Sequence, residues 1–381
     1  MKARIRVTFK PLDDEVEVAR GVSLLWAAEQ AGIHLESDCG GSGRCGKCKV
    51  VVSRGVTPPT PLEREYLTPE ETRNNVRLAC QTRVTGATSV MLLTIPSGKE
   101  HILEEGISRA VSLQAHVRKY FLNVSSEDLK SEHPISTILE DFLLAYGVRK
   151  PLINLSCLKA LPTLLHSNPP GLTALLQNDE VPAFEPGDTT SRNYGLAVDI
   201  GTTTVVGYLF DLNRGALLAV DSALNGQSIH GSDVISRIDF AVNAPDGLRQ
   251  LQDRVTETIN LIIERVCRTA DISSHDIYSV TLVGNTTMNH LFWGMSPLFL
   301  SRFPYNPVTT ASLCVPAQET GLTINPAARV FSLPLVSGFI GSDTVGVVLS
   351  TGLHRSRTPK MAIDIGTNGE IALFTGNALL A

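Results

Sequence analysis

The 381-residue sequence has no excess of basic charge: 33 Lys and Arg stand against 38 Asp and Glu, a net charge of −5. A general nucleic-acid binder needs a basic face to neutralise phosphates, so the balance argues against that class. No apolar run approaches the ~20 residues of a membrane span, and no basic segment leading into an apolar stretch opens the chain. The expectation is a soluble, cytoplasmic protein with neither nucleic acid nor membrane as partner. An even set of cysteines is also missing. Of seven, three crowd into residues 39–48, while Cys157, Cys267 and Cys314 are scattered. That distribution suits a reducing compartment and one clustered metal site better than a disulfide framework, and the scattered three read as small buried hydrophobes. The nine histidines show neither metal-ligand spacing nor a nucleophile partner, so none is assigned a catalytic role.

What is present is enough apolar residue, 43% of the chain, to bury substantial cores, and a length that allows two or three domains. Residues 3–9 (ARIRVTF) and 15–19 (EVEVA) alternate around a Pro-Leu-Asp-Asp turn and predict a hairpin. Ser23 is placed to cap a short helix over 24–31, and Gly32 to end it. Strands are expected at 49–53, 80–84 and 89–95, giving a small mixed sheet crossed by one helix in residues 1–95. Residues 96–115 read as a linker. Residues 116–190 read as a mixed, mostly helical connecting or dimerising domain, with proline-rich exits at 168–171 and 181–187. From 191 to 381 buried strands alternate with helices, an α/β pattern. Its strands fall at 196–200, 204–212, 279–283, 361–365 and 370–374, with a long amphipathic helix over 248–269.

The strongest local signal is CGGSGRCGKC at 39–48, followed by Cys80 in RLACQT. The spacing is C-x5-C-x2-C and then, after 31 residues, the fourth cysteine. Four thiolates, Cys39, Cys45, Cys48 and Cys80, are what a 2Fe–2S cluster needs. The intervening glycines let backbone amides approach its sulfurs, and Arg44 and Lys47 add positive charge beside an anionic group. A zinc site is the alternative. It ordinarily shows paired C-x2-C knuckles or histidine ligands, and here only one such pair occurs with no histidine near Cys80.

A second signal is doubled. AVDIGTTTVVGYLFDL at 197–212 and AIDIGTNGEIALF at 362–374 each carry a buried strand that delivers an aspartate to a Gly-Thr turn. Amides and hydroxyls of such a turn can hold phosphate oxygens, and the aspartate can hold Mg²⁺ or its waters. One copy alone reads equally well as a hairpin corner. Two copies in the same strand context read as an internal duplication with a cleft between the halves.

The order of hairpin, helix, cysteine loop, strand and distant cysteine resembles the β-grasp 2Fe–2S ferredoxins. The pair of Asp-Gly-Thr turns resembles the phosphate motifs of the ATPase superfamily of acetate and sugar kinases, heat-shock chaperones and actin (ASKHA). Ferredoxin, middle segment and ATPase in that order resemble the reductive activators of corrinoid proteins. Further similarity lies in IHGSDVISRI (229–238), LVGNTTMNHLFWG (282–294) and LPLVSGFIGSDTVG (333–346). The resemblance implies an α+β multidomain protein: a β-grasp ferredoxin, a mixed middle domain and an RNase H-like ATPase domain. It implies ATP with Mg²⁺ as cofactor beside the cluster, a corrinoid protein as electron acceptor and a low-potential electron donor. It places Asp199 and Asp364 around Mg²⁺ and the attacking water. Gly201, Thr202, Thr203 and Thr204 would meet phosphates on one side, and Gly366, Thr367, Asn368 and Gly369 on the other. The assignment extends less firmly to Glu370, which begins the returning strand; the turn Gly284-Asn285-Thr286-Thr287, Gly341 and Asp343 would line the cleft or serve only as structural turns.

The function implied is ATP-dependent transfer of one electron from the cluster to a cob(II) cofactor, giving cob(I). The alternatives are a non-enzymatic electron carrier whose shortened ATPase part docks partners, and a small-molecule kinase with a fused redox sensor. Such an ATPase core needs two complete halves, and the second has only begun at Ala381, so a C-terminally truncated product is expected. A homodimer contact, if there is one, is expected in residues 116–190.

Overall fold

The computed structural model describes residues 4–33, 35, 37, 41, 43–93, 113–167, 169–365 and 369–381. Most of the expected linker, together with Cys39, Gly366, Thr367 and Asn368, lies outside the described residues.

The first unit begins with β1 (Arg4–Lys10) and β2 (Asp14–Ala19), an antiparallel pair in register from Arg4 with Ala19 to Phe9 with Asp14. Helix α1 (Leu24–Gln30) follows, opened by Ser23, whose Oγ accepts the Trp26 N–H at 3.2 Å. Gly32 leaves it at φ 74°, the left-handed conformation that glycine adopts without strain. After the cysteine loop come β3 (Lys49–Val52), the short helices α2 (Glu63–Tyr66) and α3 (Pro69–Arg73), β4 (Val76–Leu78) and β5 (Thr88–Leu92). The sheet order is β2-β1-β5-β3-β4, with β1 and β5 parallel at its centre. Val7, Phe9, Val50 and Val90 from the sheet and Leu24, Ala27 and Ala28 from α1 share one buried core, a β-grasp arrangement. The strand expected at 80–84 is not there. After β4 the chain turns, with Gln81 and Thr82 donating to the Leu78 carbonyl at 3.0 Å, and this turn carries Cys80 out of the sheet toward the cysteine loop.

The middle unit holds β6 (Val117–Leu122), α4 (Ile135–Ala145), β7 (Leu152–Ile153), α5 (Leu155–His166), β8 (Leu172–Gln177) and β9 (Glu180–Pro186). It is a four-stranded sheet, β6-β8-β9-β7, with two helices, and not the mostly helical domain expected. β8 is buried at all six positions, so it lacks the alternation by which a strand is recognised. The expected proline-rich exit at 181–187 is β9 itself. β7 pairs only with Glu180 and Val181, so from Pro182 onward β9 is an edge strand, where a missing N–H is tolerated.

The third unit opens with the antiparallel meander β10 (Tyr194–Ile200), β11 (Thr204–Asp211) and β12 (Ala216–Leu224). Helices α6 (Val234–Asn243) and α7 (Gly247–Ala270) lead to β13 (Ile277–Gly284), which pairs parallel to β10. Then follow α8 (Thr286–Phe292), β14 (Leu313–Pro316) and β15 (Arg329–Ser332), completing a six-stranded sheet β12-β11-β10-β13-β15-β14. α7 buries Leu251, Val255, Ile259, Ile262, Ile263 and Val266 along one stripe against this sheet. It lies so close that a Cβ on Gly207 of β11 would stand 2.6 Å from Ile262. Of the scattered cysteines, Cys157 and Cys267 are buried as expected, whereas Cys314 is exposed because β14 is the edge strand of this sheet. Finally α9 (Ser342–Thr351) precedes the hairpin of β16 (Lys360–Ile365), β17 (Gly369–Phe374) and β18 (Leu379–Leu380).

Candidate functional sites: a cysteine loop and a carboxylate-lined cleft

Cys48, just before β3, and Cys80, in the turn after β4, are both buried, and their sulfurs stand 3.4 Å apart. Cys45 is half-buried beside them. The hydrogen bond to Cys80, then burial, pushes the Cys48 thiol far above its ordinary range, and the charges of Cys80 and Cys45 push the same way. Buried thiols crowded like this are poor acids alone and good ligands to a shared cation. The loop is built for close approach: Gly41, Gly43 and Gly46 all have positive φ. A Cβ on Gly43 would stand 2.2 Å from the Leu62 side chain, and one on Gly46 would meet the Tyr66 ring at 3.0 Å. Gln81 spans the two sides, with its Nε2 3.3 Å from the Gly41 carbonyl and 3.6 Å from Cys80 Sγ. The thiol set and the glycine-rich loop fit an iron–sulfur cluster.

One buried ion pair that the sequence did not announce underlies this site. Glu63 receives Arg77 Nε and Nη2 at 2.9 Å each, the Leu78 N–H at 3.0 Å and the Thr82 hydroxyl at 3.2 Å. Its carboxylate thus grips the residues on both sides of Cys80. Burial alone would raise its pKa, but the bonds from Arg77, Thr60 and Leu78 outweigh it and hold the group below the usual range.

In the third unit Asp199 and Asp364 occupy equivalent places. Each is the next-to-last residue of its incoming strand, opposite Val206 and Glu370 respectively. Asp199 is open to the cleft but walled by protein. That enclosure, with the charges of Asp343 and Asp364 behind it, pushes its carboxyl up to about 7. Asp343, in the first turn of α9, and Glu370 are raised too, by burial first, and each also feels Asp364. Asp343 and Asp364 are thus felt by both Asp199 and Glu370, which brings carboxylates of the two halves into one electrostatic group; two of the four, Asp343 and Glu370, are doubtful from sequence alone. Among the described residues no three carboxylate, histidine or cysteine side chains gather closely enough to cage one metal ion. Spaced carboxylates of this kind suit a cation that keeps part of its water shell, as Mg²⁺ does.

The turn after Asp199 is packed without slack. A Cβ on Gly201 would lie 2.5 Å from the Thr204 carbonyl oxygen, and one on Gly284 would lie 2.7 Å from that of Ile200. One on Gly341 would meet Asn285 Cα and the Gly284 oxygen at 2.4 Å. The two strand ends and the start of α9 therefore touch through backbone. Asn285 caps α8 and also donates Nδ2 to Thr202 Oγ1 at 3.1 Å. Asn289 Nδ2 and the Gly284 N–H both reach Ser342 Oγ, at 3.0 and 3.1 Å. Thr202 is buried, while Gly201, Thr203 and Thr204 are partly exposed. Across the cleft, Gly369 and Glu370 border a cavity of about 510 Å³ together with Asn285, Thr286, Thr287 and Phe339. The buried Thr287 hydroxyl beside this cavity has no hydrogen-bond partner among the described residues.

Residues 7–85 match the family described as 2Fe-2S iron-sulfur cluster binding domain, and residues 194–356 match the RACo middle region. Over 380 residues the chain is 33% identical to the corrinoid activation enzyme RamQ of Eubacterium limosum, covering 97% of this chain and 59% of that protein. Among solved structures, a reductive activator for corrinoid, iron-sulfur protein is 30% identical and superposes with a TM-score of 0.66. That match covers 99% of this chain and 62% of the other. The first unit alone is 40% identical over 72 residues to a component of the Na⁺-translocating NADH-quinone reductase of Idiomarina loihiensis. This shorter match takes in 19% of this chain and 18% of that component. The chain thus spans about three fifths of the two proteins it matches from end to end. No helix among the described residues is long and apolar enough to cross a membrane. By domain content, sequence and fold together, the chain is a relative of the reductive activators of corrinoid proteins.

Proposed function

We propose that the chain couples nucleotide binding to the one-electron reduction of a corrinoid protein, from cob(II) to cob(I). The observation that carries this reading is the joining, in one chain, of a thiol pocket on a β-grasp sheet to two Asp-bearing hairpins that face each other across a cleft. Cys39, Cys45, Cys48 and Cys80 would hold a 2Fe–2S cluster, which would supply a single electron at low potential, about −400 mV for the plant type, with a low-potential donor to replenish it. The chain's own part is to bury Cys48 and Cys80, to fix Cys80 through Glu63, and to hold the loop in the positive-φ turns that its glycines allow.

In the cleft, Asp199 and Asp364 would hold Mg²⁺ through its waters and orient the attacking water. Gly201 to Thr204 would offer amides and hydroxyls to the phosphates of ATP, and Gly366 to Gly369 would do so from the second hairpin. The energetic task is modest. Driving one electron ~100 mV uphill costs about 2.3 kcal/mol. A nucleotide can supply that through a difference in affinity between the open and closed cleft, and by no more than that difference. Buried thiols outside any disulfide, such as those of Cys157 and Cys267, suit a reducing compartment such as the cytoplasm.

The test is anaerobic: this chain, a chemical reductant and a cob(II) corrinoid protein, followed optically for cob(I) with and without Mg-ATP. Cob(I) that forms only with Mg-ATP is expected. Equal cob(I) without nucleotide would remove the coupling from the proposal. A fully reduced cluster that never yields cob(I) would overturn the proposal itself.

A further inference from the structure

Beneath the Gly201–Thr204 turn lies a polar layer that neither the motif nor the carboxylates account for. Arg237, on α6, is fully buried. Its Nη2 donates to the Thr202 carbonyl at 2.5 Å and its Nε to the Gly231 carbonyl at 2.8 Å. Nη1 reaches Gln227 Oε1 at 3.2 Å and Met288 Sδ at 3.3 Å. Beside it, the equally buried Asn225 donates Nδ2 to the Gly201 carbonyl and its backbone N–H to the Thr203 carbonyl, both at 2.8 Å. Three successive carbonyls of the turn are therefore held from behind. Because the peptide unit is planar and trans, a carbonyl fixed on one side turns the next residue's N–H to the other.

The charge is the unusual part. No carboxylate among the described residues lies within ion-pair distance of Arg237, although a buried guanidinium is ordinarily paired. The acceptors it does have are neutral. Burial lowers its pKa to about 10, with Asp233 pulling the other way, so the group stays cationic at neutral pH. A desolvated cation bonded to the inner face of a turn raises the potential on the outer face, where its field is poorly screened.

We propose that Arg237 is a positioning residue for the phosphates of the bound nucleotide. It fixes the Thr202 peptide so that the turn's N–H groups face the cleft, and its unpaired charge is balanced by the phosphates on the other side. This rests on the reading of the turn as a phosphate site. It assigns the affinity of that site to a residue that touches no ligand atom.

The experiment compares ATP, ADP and AMP binding, with Mg²⁺, to the unaltered chain, Arg237→Gln and Arg237→Lys by calorimetry. The cluster chromophore and far-UV circular dichroism serve as controls for folding. Loss of one charge-assisted contact predicts about 10–100-fold weaker ATP binding in Arg237→Gln. The loss should shrink from ATP to ADP to AMP, because only the phosphates feel the charge. Arg237→Lys keeps the charge without the fork and is expected to lie between, and it carries the test should the Gln variant not fold. Equal losses for all three nucleotides would mean general loosening and would overturn the inference, as would no loss at all. Failure of the unaltered chain to bind any of them would overturn the phosphate-site reading and this inference together.

Discussion

The sulfurs of Cys48 and Cys80 meet at 3.4 Å although 31 residues separate them in the chain. That approach joins the glycine-rich loop to the turn after β4, and Cys80 discourages ionisation of the Cys48 thiol unless a cation lies between them. Cys48→Ser and Cys45→Ser are each expected to abolish the visible chromophore and the EPR signal of the reduced protein. Cys267, on the buried stripe of α7 and pushed up to about 11 by burial, is a core thiol. Cys267→Ser should leave the signal unchanged. A normal 2Fe–2S signal from Cys48→Ser would remove Cys48 from the ligand set.

Glu63 gives a stability prediction in the same unit. Glu63→Gln leaves Arg77 buried without its carboxylate and loosens the Leu78 and Thr82 contacts that bracket Cys80. The expected cost is about 3–5 kcal/mol, read from denaturant unfolding followed by the chromophore. The sign in pH follows from the lowered folded pKa. The contribution is present above the unfolded value of about 4.3 and is lost as pH falls through the lower folded value. Acid should therefore bleach the unaltered protein steeply below about pH 4. The Gln variant should be weaker throughout and less steep. Identical acid profiles would mean that Glu63 is not the group responsible.

What could be read from sequence was local. The cysteine spacing and the two Asp-Gly-Thr turns are short patterns whose chemistry needs those residues side by side, so no tertiary knowledge was required. What escaped depended on partners far along the chain. Cys80 is flanked by residues that would suit a strand, yet Glu63 and the Leu78 carbonyl hold it in a turn. β8 is buried on both faces, and Thr173 and Gln177 are buried there only because they find the distant carbonyls of Gly187 and Ala327, which the local pattern does not show. Arg237 bonds a carbonyl 35 residues back. One signal for it did exist: on α6 it shares the stripe of Val234 and Ile238, and an arginine on the buried stripe of a helix needs acceptors somewhere.

The middle and third units meet at another buried charge. Lys119 on β6 donates Nζ to Glu185 Oε2 and Tyr278 Oη at 2.8 Å, to the Arg192 carbonyl at 2.8 Å, and to Thr189. Tyr278, on β13, gives its hydroxyl to Glu185 at 2.6 Å. Lys119→Met strands Glu185 in the interface, with an expected loss of about 3–5 kcal/mol. Tyr278→Phe removes single bonds and should cost about 1 kcal/mol each. Hydrogen exchange should speed in Val117–Leu122 and Ile277–Gly284 in the Met variant. Faster exchange confined to β6 would show that the network stabilises the middle sheet alone and does not tie it to β13.

Asp199 sets function against stability. Its folded pKa of about 7 lies above the ordinary aspartate value, so between the two the folded state holds a proton that the unfolded chain releases. Stability therefore falls as pH rises toward 7, and the full penalty is felt above it. Asp199→Asn removes the ionisable group. In metal-free buffer it should raise the melting temperature most at pH 8, less at pH 5, and little below about pH 4. Mg²⁺ should reverse the order at pH 8, because the cation stabilises a carboxylate facing Asp343 and Asp364 and has less to offer the amide. ATP turnover, where the unaltered protein shows it, should fall by about 10²-fold or more in the variant, as expected when a group that stabilises transition-state charge is lost. An Asn variant that melts lower than the parent at pH 8 without metal would show that Asp199 is held by contacts worth more than its desolvation, and the carboxylates would then not be poised for a cation.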